Sequence, residues 1–439
     1  MNKAEIFKSC TDNNVRYIKL MITDLLGTIK SVEISVNKLE EALEGKIMFD
    51  GSSIEGFVRI KEADMYLHPD LDTFAILPLE NKDELGKTAR IICDVYKANG
   101  EPFEGDPRGV LKKVLQELKD YKIRTFNVGV EPEFYLFRKV NGELVFSDNG
   151  SYFDMAPIGS DESIRHEIVL ELEKIGYEVE ISHHEVGPGQ NEVNFRFDDA
   201  LKTCDRIQTY KQIVKQVASR HGLIATFMPK PFEGKPGNGM HVNCSLADEN
   251  GKNIFFDPTT DNKLSEVCIN WINGIILHAR ELSAITNPII NSYKRLVPGY
   301  EAPCYICWSD SNRSSMIRIP ASRGASTRTE IRNVDPYANP YLMAACILAA
   351  GLDGIKNKLH SVPSVSDNIF ELTREEREEK GIKNLPENLK DAIKELKKSA
   401  FMKEVLGEHI YTKYIKAKQL EREEYRVLVT DWERKKYLW

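Results

Sequence analysis

The chain has 439 residues, a length that predicts about two to three domains and a large buried core. Hydrophobic residues make up 41%, and the net charge of −7 is spread without blocks of like charge, which excludes a basic nucleic-acid-binding surface. The N-terminus lacks an apolar signal segment, and the longest apolar stretch, 341–351, is too short to span a bilayer. Eight cysteines are scattered through core-like segments without paired zinc-ligand spacing. These features predict a reduced, cytoplasmic protein with no membrane or direct nucleic-acid partner.

The first part of the chain alternates in short strand-like runs. Residues 16–23 and 28–34 flank a turn-forming segment and predict a hairpin. A short helix from Lys38 and a loop rich in glycine and serine, 50–56, follow. The break at 99–107 predicts a domain boundary. We therefore expect a small β-rich domain at 1–103 and a larger domain at 104–439, in an α+β architecture.

The larger part opens with an amphipathic helix and continues into a strand at 126–137. A stripe of apolar residues marks the helix: Val110, Leu111, Val114, Leu115 and Leu118. A second helix carries apolar residues from Ile164 to Ile175 and ends at Gly176. Further helices are predicted at about 203–220, 265–285 and 338–359, and beyond about 387.

Two glutamates, Glu131 and Glu133, lie inside the strand at 126–137. Residues two apart on a strand point to the same face, roughly 7 Å apart. Bare carboxylates this close repel each other unless a cation lies between them, so the pair favours a divalent metal site. A strand with one solvated face is the alternative reading of this pattern.

Further acids and one histidine extend this pattern. Glu185 and Glu192 flank a Gly-Pro-Gly turn between two predicted strands, which brings them near one another. His241 follows a glycine-rich run, and Glu330 lies in a predicted strand. Oxygen ligands with at most one imidazole suit Mg²⁺ or Mn²⁺ better than zinc. Several carboxylates around two ions match phosphoryl transfer.

An arginine-rich segment and two loops support that chemistry. The segment 313–332 contains five arginines, no lysine and one acid, a composition that favours bidentate clamping of phosphate or carboxylate, with a solvated basic face as the alternative. No Walker A motif is present, so phosphate binding would depend on arginine and metal. The segment 293–303 has the composition of a lid, and 50–53 carries Asp50 on a flexible loop. The residues alone predict a metal-dependent enzyme of ATP chemistry.

Taken together, these segments closely resemble the glutamine synthetase family of the bacterial and archaeal type I, essentially from end to end. The resemblance rests on 49–57 (FDGSSIEGF), 131–134 (EPEF), 183–192 (HHEVGPGQNE), 230–232 (KPF), 239–241 (GMH), 291–303 (NSYKRLVPGYEAP), 312–314 (NRS), 317–320 (IRIP) and 328–332 (RTEIR). It implies a β-grasp N-terminal domain followed by a catalytic domain with a curved antiparallel sheet flanked by helices. It also implies a homododecamer of two hexameric rings with active sites between subunits.

The resemblance assigns roles to individual residues. One metal ion would take Glu133, Glu185 and Glu192, and the other would take Glu131, His241 and Glu330. ATP would contact Glu180, Phe197, Ser245 and Arg328, and its transferring phosphoryl group would contact Arg313 and Arg318. Glutamate would be bound by Arg295, Arg332, Gly237, Glu133, His241 and Glu301. Asp50 of a neighbouring subunit would bind and deprotonate ammonium, and Glu301 would close the lid. The implied cofactors are Mg²⁺ or Mn²⁺, two or three ions per subunit.

The implied reaction joins ammonia to the γ-carboxylate of L-glutamate with ATP, through γ-glutamyl phosphate, for nitrogen assimilation. Pro236 departs from the usual family motif beside the glutamate, Asn-Gly-Ser-Gly-Met-His. Phe370 stands where the longer subtype carries an adenylylated tyrosine, and the extra internal segment of that subtype is absent. Arg59 matches the feedback arginine of the shorter alpha subtype, which glutamine inhibits.

Three alternatives are weighed against this reading. A related γ-glutamyl ligase would join glutamate to a polyamine, but such relatives tend to lose the ammonium-site acids, and Asp50 and Glu301 are present. A non-catalytic relative would lose metal ligands, and all six are present. An active enzyme that also binds a transcription regulator is a third alternative, which nothing in the sequence decides.

Overall fold

The computed structural model describes most residues of the chain. They are 1–52, 54, 56, 64–78, 85–310, 312–360, 362–365, 369 and 371–439. Arg59 and Phe370, which carry the predictions on feedback and adenylylation, lie outside the described residues.

The N-terminal part is a mixed sheet packed against two helices. Its elements are α1 (Lys3–Asp12), β1 (Val15–Thr23), β2 (Ile29–Ser35), α2 (Leu39–Leu43), β3 (Ile47–Asp50), β4 (Asp64–Pro69), β5 (Ala75–Ile76) and β6 (Lys87–Lys97). The strand order is β2-β1-β6-β4-β3, with β5 beside β6 and a parallel pairing of β1 with β6. The predicted hairpin is confirmed, because β1 and β2 pair antiparallel from Tyr17 with Ser35 to Thr23 with Ile29. Asp24 stabilises its turn by accepting hydrogen bonds from the backbone N–H groups of Leu26 and Thr28.

The larger part consists of a long curved sheet and a layer of helices. Its elements are α3 (Pro107–Gln116), β7 (Ile123–Val140), β8 (Glu143–Phe146), α4 (Glu162–Glu173), β9 (Val179–His184), β10 (Gln190–Phe195), β11 (Asp198–Asp199), α5 (Ala200–Arg220), β12 (Ile224–Thr226), β13 (Met240–Asp248), α6 (Glu266–Thr286), α7 (Ser292–Arg295), β14 (Tyr305–Ile306), β15 (Trp308–Ser309), β16 (Ile317–Arg318), β17 (Thr329–Ile331), α8 (Pro340–Lys356), α9 (Arg374–Glu379), β18 (Lys383–Asn384), α10 (Leu389–Lys398), α11 (Ala400–Arg426) and α12 (Asp431–Tyr437). Helix α11 is interrupted at Gly407. None of the helices in the described ranges is long and apolar enough to cross a membrane.

Strand β7 is the centre of the large sheet, whose order is β15-β16-β17-β13-β7-β10-β9. Strands β8, β11 and β12 also pair with β7. The pairings are antiparallel except between β15 and β16 at the edge. The apolar face of the sheet is covered by helices α5, α6 and α8, while the other face carries the acidic residues. The α+β prediction is confirmed, and the sheet is mixed at one edge.

Buried polar contacts join the two parts of the chain. The guanidinium of Arg108 on α3 forms ion pairs with Asp70 (2.7 Å) and Asp94 (2.7 Å) of the N-terminal part and with Asp205 on α5 (2.8 Å). Asn339, which caps α8, also donates its side-chain amide to the carbonyl of Asp24 in the β1–β2 turn. Because these groups are buried and paired, they hold the N-terminal sheet in one orientation.

Candidate active site

A pocket of about 1120 Å³ opens on the polar face of the large sheet. Twelve of the residues singled out from the sequence line it: Glu131, Glu133, Glu185, Glu192, Gly237, His241, Arg295, Glu301, Arg313, Arg318, Glu330 and Arg332. They come from five strands, helix α7 and five loops that are far apart in the chain. The fold therefore brings the predicted acids, arginines and lid residue into one cavity.

Strand register explains how the acids meet. Glu131 on β7 lies opposite His241 on β13, and Glu133 lies opposite Glu192 on β10. Glu192 in turn lies opposite His183 on β9. Directly opposed side chains of an antiparallel pair share one face and lie within about 5.5 Å. The strand alternation predicted for Glu131 and Glu133 is thereby extended across three neighbouring strands.

The first carboxylate cluster, Glu131, His241 and Glu330, is backed by cations of the chain. His241 Nδ1 lies 3.2 Å from Glu131 Oε2 and 3.6 Å from Glu330 Oε1. Glu330 also forms ion pairs with Arg318 (2.8 Å) and Arg332 (2.5 Å). We call this group the arginine-backed cluster. Its carboxylates are compensated without any ligand.

The pKa of Glu131 agrees with that compensation. Burial alone would raise it, but hydrogen bonding and charge from His241, the amide of Asn243 and the charge of Arg328 lower the pKa of Glu131 to about 2. Asn243 Nδ2 donates to Glu131 Oε1 at 2.9 Å. Glu131 is therefore ionised at neutral pH and available as an oxygen ligand.

The second cluster, Glu185, Glu192 and His183, lies on the other side of Glu133. His183 Nδ1 is 3.6 Å from Glu185 Oε1, and its Nε2 is 3.6 Å from Glu192 Oε1. We call this group the acid-rich cluster. Burial, with repulsion among Glu133, Glu185 and Glu192, raises the pKa of both Glu133 and Glu185. Among the described residues, His183 is the one cationic side chain within ion-pair distance of Glu185 and Glu192.

Both clusters have a donor set that fits a divalent cation. In each, one ligand atom per residue lies within 4.8 Å of the others. Carboxylate oxygens with one imidazole match the preferences of Mg²⁺ and Mn²⁺, and uncompensated buried carboxylates favour bound cations. Glu133, expected to bind with Glu185 and Glu192, accepts hydrogen bonds from Gly239 N (2.8 Å) and Gln190 Nε2 (3.2 Å). Its role as a ligand stays a prediction.

Two buried arginines, Arg295 and Arg332, border the pocket beside the acids. Arg295 on α7 donates to the carbonyls of Asn333 (2.8 Å) and Arg332 (3.1 Å), which directs its guanidinium beside Gly239. A Cβ atom at Gly239 would lie 2.7 Å from Arg295 Nη2, so the close approach requires glycine. The guanidinium groups of Arg295 and Arg332 give this end of the pocket the positive charge that a carboxylate substrate needs.

The residues expected to bind nucleotide lie outside the pocket lining but next to it. Ser245 on β13 lies opposite Asn127, four residues before Glu131 on β7. Phe197 packs beside Gly129, where a Cβ atom would be 3.0 Å from the Phe197 Cβ. Arg328 donates to Asn243 Oδ1 at 3.0 Å. Ser245, Phe197 and Arg328 therefore lie beyond the arginine-backed cluster on the same side of the sheet. Glu180 lies exposed on strand β9, which pairs with β10.

Asp50 is a predicted catalytic residue that does not line the pocket of its own chain. It ends β3, is exposed, and accepts a hydrogen bond from the N–H of Ser52 at 2.8 Å. This position leaves the assignment to a neighbouring subunit as a prediction.

Three polar residues of the site were not predicted from the sequence. His183 completes the acid-rich cluster, and Asn243 joins Glu131 to Arg328. Gln190 donates to Glu133, to the carbonyl of Gly237 (3.1 Å) and to Asn238 Oδ1 (3.0 Å). The available signal was strand alternation, because Asn243 lies two residues after His241 and His183 lies two residues before Glu185.

The fold and the pocket define the class of protein: one whose mostly antiparallel sheet carries a cavity with arginines and with donor sets that could hold divalent cations. Comparison with known proteins agrees. Residues 104–437 match the model of the glutamine synthetase catalytic domain, and residues 14–98 match that of the glutamine synthetase β-grasp domain. The chain belongs to the glutamine synthetase family. The β-grasp prediction is thereby confirmed.

Individual relatives are similar over nearly the whole length. Glutamine synthetase of Staphylococcus aureus (strain Mu50 / ATCC 700699) is 54% identical, with 99% of this chain and 98% of the relative covered. A solved structure of the GmaS/ADP complex has a TM-score of 0.89 at 31% identity, covering 98% of this chain and 99% of that one. Glutamine synthetase of Plasmodium falciparum has a TM-score of 0.87 at 27% identity, covering 100% of this chain and 99% of that one.

Proposed function

We propose that this chain is a glutamate–ammonia ligase, which converts L-glutamate, ammonia and ATP to L-glutamine, ADP and phosphate. The observation that carries this proposal is the pocket that combines two carboxylate clusters with a guanidinium-lined end. The 54% identity to a glutamine synthetase over the whole chain supports it. The γ-carboxylate of glutamate is a poor electrophile, so ATP first converts it to γ-glutamyl phosphate, and ammonia then displaces phosphate.

The two clusters are the proposed sites of Mg²⁺ or Mn²⁺, which would neutralise nucleotide phosphates when bound. The proposed ligands are Glu131, His241 and Glu330 for one ion and Glu133, Glu185 and Glu192 for the other. Their separate positions on one sheet face support two ions. His183 lies between Glu185 and Glu192 and orients their carboxylates.

Arginines and backbone groups bind the two anionic substrates in this proposal. Arg295 and Arg332 hold the carboxylate of glutamate near the peptide groups of Gly237, while Arg313 and Arg318 stabilise charge on the transferring phosphoryl group. Glu301, on the loop bordering the pocket, closes over the acyl phosphate and excludes water. The nucleotide contacts are proposed to be Glu180, Phe197, Ser245 and Arg328. The exposed ring of Phe197, beside Gly129, can stack on a base.

Ammonium binding is proposed to require a second copy of the chain. Asp50 is a charged group at the end of β3, outside the pocket of its own chain. In the proposed homododecamer of two hexameric rings, the Asp50 of one subunit reaches the pocket of the next and deprotonates ammonium. Mixing inactive Asp50→Asn chains with inactive Glu301→Ala chains tests this arrangement. Shared sites predict partial recovery of activity on co-assembly, and no recovery would contradict it.

An assay of ADP release tests the reaction. With glutamate and Mg²⁺ present, ammonium should support turnover, whereas polyamines or no amine should support little. Comparable rates with a polyamine would favour the γ-glutamyl-amine ligase instead. Absence of ADP release with every amine would contradict the ligase proposal altogether.

Regulation by the product is a separate proposal, supported by the sequence alone. Arg59 is proposed to mediate glutamine feedback, so Arg59→Ala should shift the inhibition curve across a glutamine series while leaving the KM values of glutamate and ATP nearly unchanged. A curve identical to the wild type would contradict it.

A transcription regulator as partner is tested by pull-down in excess glutamine. The eight cysteines, all free and buried, support the proposed cytoplasmic location.

A further inference from the structure

Lys230 carries a buried ammonium group that the proposed reaction has not used. The residue is 8% exposed. Among the described residues, no carboxylate lies within ion-pair distance of its Nζ atom. Instead, Nζ lies 3.6 Å from the centre of the Tyr300 ring and donates a hydrogen bond to the carbonyl of Lys235. A buried cation placed against an aromatic face and a carbonyl is a specific arrangement that costs desolvation to form.

The backbone of Lys230 is held in place from both sides. Its N–H donates to Asn291 Oδ1 at 2.7 Å, and its carbonyl accepts from Asn291 Nδ2 at 2.9 Å. The carbonyl of the preceding residue, Pro229, accepts from the N–H of Asn238 at 2.8 Å. The ammonium group therefore extends from a fixed point next to the pocket.

Lys230 connects two loops that border the pocket. The glycine-rich loop, 236–239, has its carbonyls held by side chains: Pro236 accepts from the Tyr135 hydroxyl at 2.9 Å, and Gly237 accepts from Gln190 at 3.1 Å. Lys230 does the same for the residue just before this loop. The lid loop, 298–302, has no hydrogen bond to residues 298–301 from the described part of the chain. Ala302 at the end of this loop is buried in the core, and before it the Tyr300 ring lies on the Lys230 ammonium.

We propose that Lys230 is a positioning residue, whose ammonium group anchors Tyr300 and thereby places the neighbouring Glu301 over the pocket. This inference rests on the proposed ligase reaction. A cation–π contact at a desolvated site biases an equilibrium by roughly 2- to 30-fold. That bias would apply to the closed form of the lid loop. When the lid loop opens, water attacks the γ-carbonyl of γ-glutamyl phosphate, the bond to phosphate breaks, and glutamate is regained at the cost of one ATP.

The test compares Lys230→Met, which removes the charge, with Lys230→Arg, which keeps a cation able to stack on the ring. Lys294→Met is the control, because the exposed Lys294 also lies over an aromatic ring, that of Tyr425 at 5.5 Å, and its side chain does not line the pocket. Two quantities are measured in the full assembly: ADP released per glutamine formed, and amide hydrogen exchange of residues 298–302. Lys230→Met should raise the hydrogen exchange of this loop, and the ADP released in excess of the glutamine formed, by roughly 2- to 30-fold. Lys230→Arg should restore most of the wild-type values.

The outcomes separate this inference from the reaction on which it rests. A wild-type protein that forms no glutamine overturns the proposed function, while hydrogen exchange still tests the anchor. Exchange in Lys230→Met equal to that in Lys294→Met overturns the role of Lys230, whatever the activity. Equal increases in hydrogen exchange and in excess ADP release for Lys230→Met and Lys230→Arg also overturn it, because a contact that depends on the cation predicts rescue by arginine.

Discussion

The two carboxylate clusters of the pocket contain the same kinds of residue but differ in charge balance. In the arginine-backed cluster, Glu330 is paired with Arg318 and Arg332, and Glu131 is hydrogen-bonded to His241. In the acid-rich cluster, Glu185 and Glu192 have only His183 within ion-pair distance among the described residues, and Glu133 adds a third acid. Among the described residues, cations of the chain thus balance one cluster, whereas the other holds an excess of buried carboxyl groups that protons or metal ions would neutralise.

The largest expected effect comes from removing the acid that balances two arginines. Glu330→Gln should lower the free energy of unfolding by about 3 kcal/mol, since removing one partner of a buried pair leaves charges uncompensated. Chemical denaturation of the metal-free protein measures this change. Glu178→Gln, which breaks an exposed pair with Arg196, is the control and should change the stability little, because exposed ion pairs are screened by solvent. Equal changes in the two variants would contradict the proposed balance.

Divalent cations should stabilise the protein mainly through the acid-rich cluster. Mg²⁺ or Mn²⁺ at a fixed concentration, about one hundred times its dissociation constant at pH 7, should add about 2.7 kcal/mol to the free energy of unfolding at that pH. The folded pKa values of Glu133 and Glu185 are raised, so the metal-free folded state binds extra protons and loses stability as pH rises through that range. The metal increment should therefore grow from pH 6 to pH 8. An increment independent of pH, measured by thermal unfolding, would contradict this.

Neutralising one acid of the acid-rich cluster should have the opposite sign to Glu330→Gln. Without metal, Glu185→Gln should raise the free energy of unfolding at pH 8 by roughly 1–2 kcal/mol, the scale of one pKa unit, because the amide avoids the cost of burying an ionisable carboxyl beside Glu133 and Glu192. The same variant should lose most of the stabilisation by Mg²⁺ and most of the ligase activity. A lower stability of Glu185→Gln without metal would show that other groups of the chain compensate the charge of this cluster.

The smallest effect concerns the link between the arginine-backed cluster and the proposed nucleotide residues. Asn243→Ala removes hydrogen bonds to Glu131 and Arg328, so it should raise the KM of ATP by about five- to tenfold, equivalent to about 1 kcal/mol. The KM of glutamate should change little, since Arg295 and Arg332 are not contacted by Asn243. Steady-state kinetics decide it, and equal rises for both substrates would contradict the link.

Periodicity within short segments accounted for much of the fold and part of the site. Alternation on β7 predicted that Glu131 and Glu133 share a face, and the turn before Thr28 predicted the first hairpin. Helix stripes placed α3, α4 and α8 within a few residues of their observed bounds. These features depend on local backbone geometry, which neighbouring residues determine. The remaining candidate residues were predicted from the motifs that resemble the glutamine synthetase family.

The partners of each charged group were decided only by the tertiary structure. The pairing of Glu330 with Arg318 depends on the register of β16 and β17, and the meeting of His183 with Glu192 depends on that of β9 and β10. Lys230 and Tyr300 are 70 residues apart in the chain and meet only because Asn291 holds the backbone of Lys230 beside the lid loop. By itself, the sequence determined which groups are available and which face of a strand they share. The electrostatic energy between two charged groups decreases with the distance between them. The charge balance was therefore decided when the fold brought distant segments together.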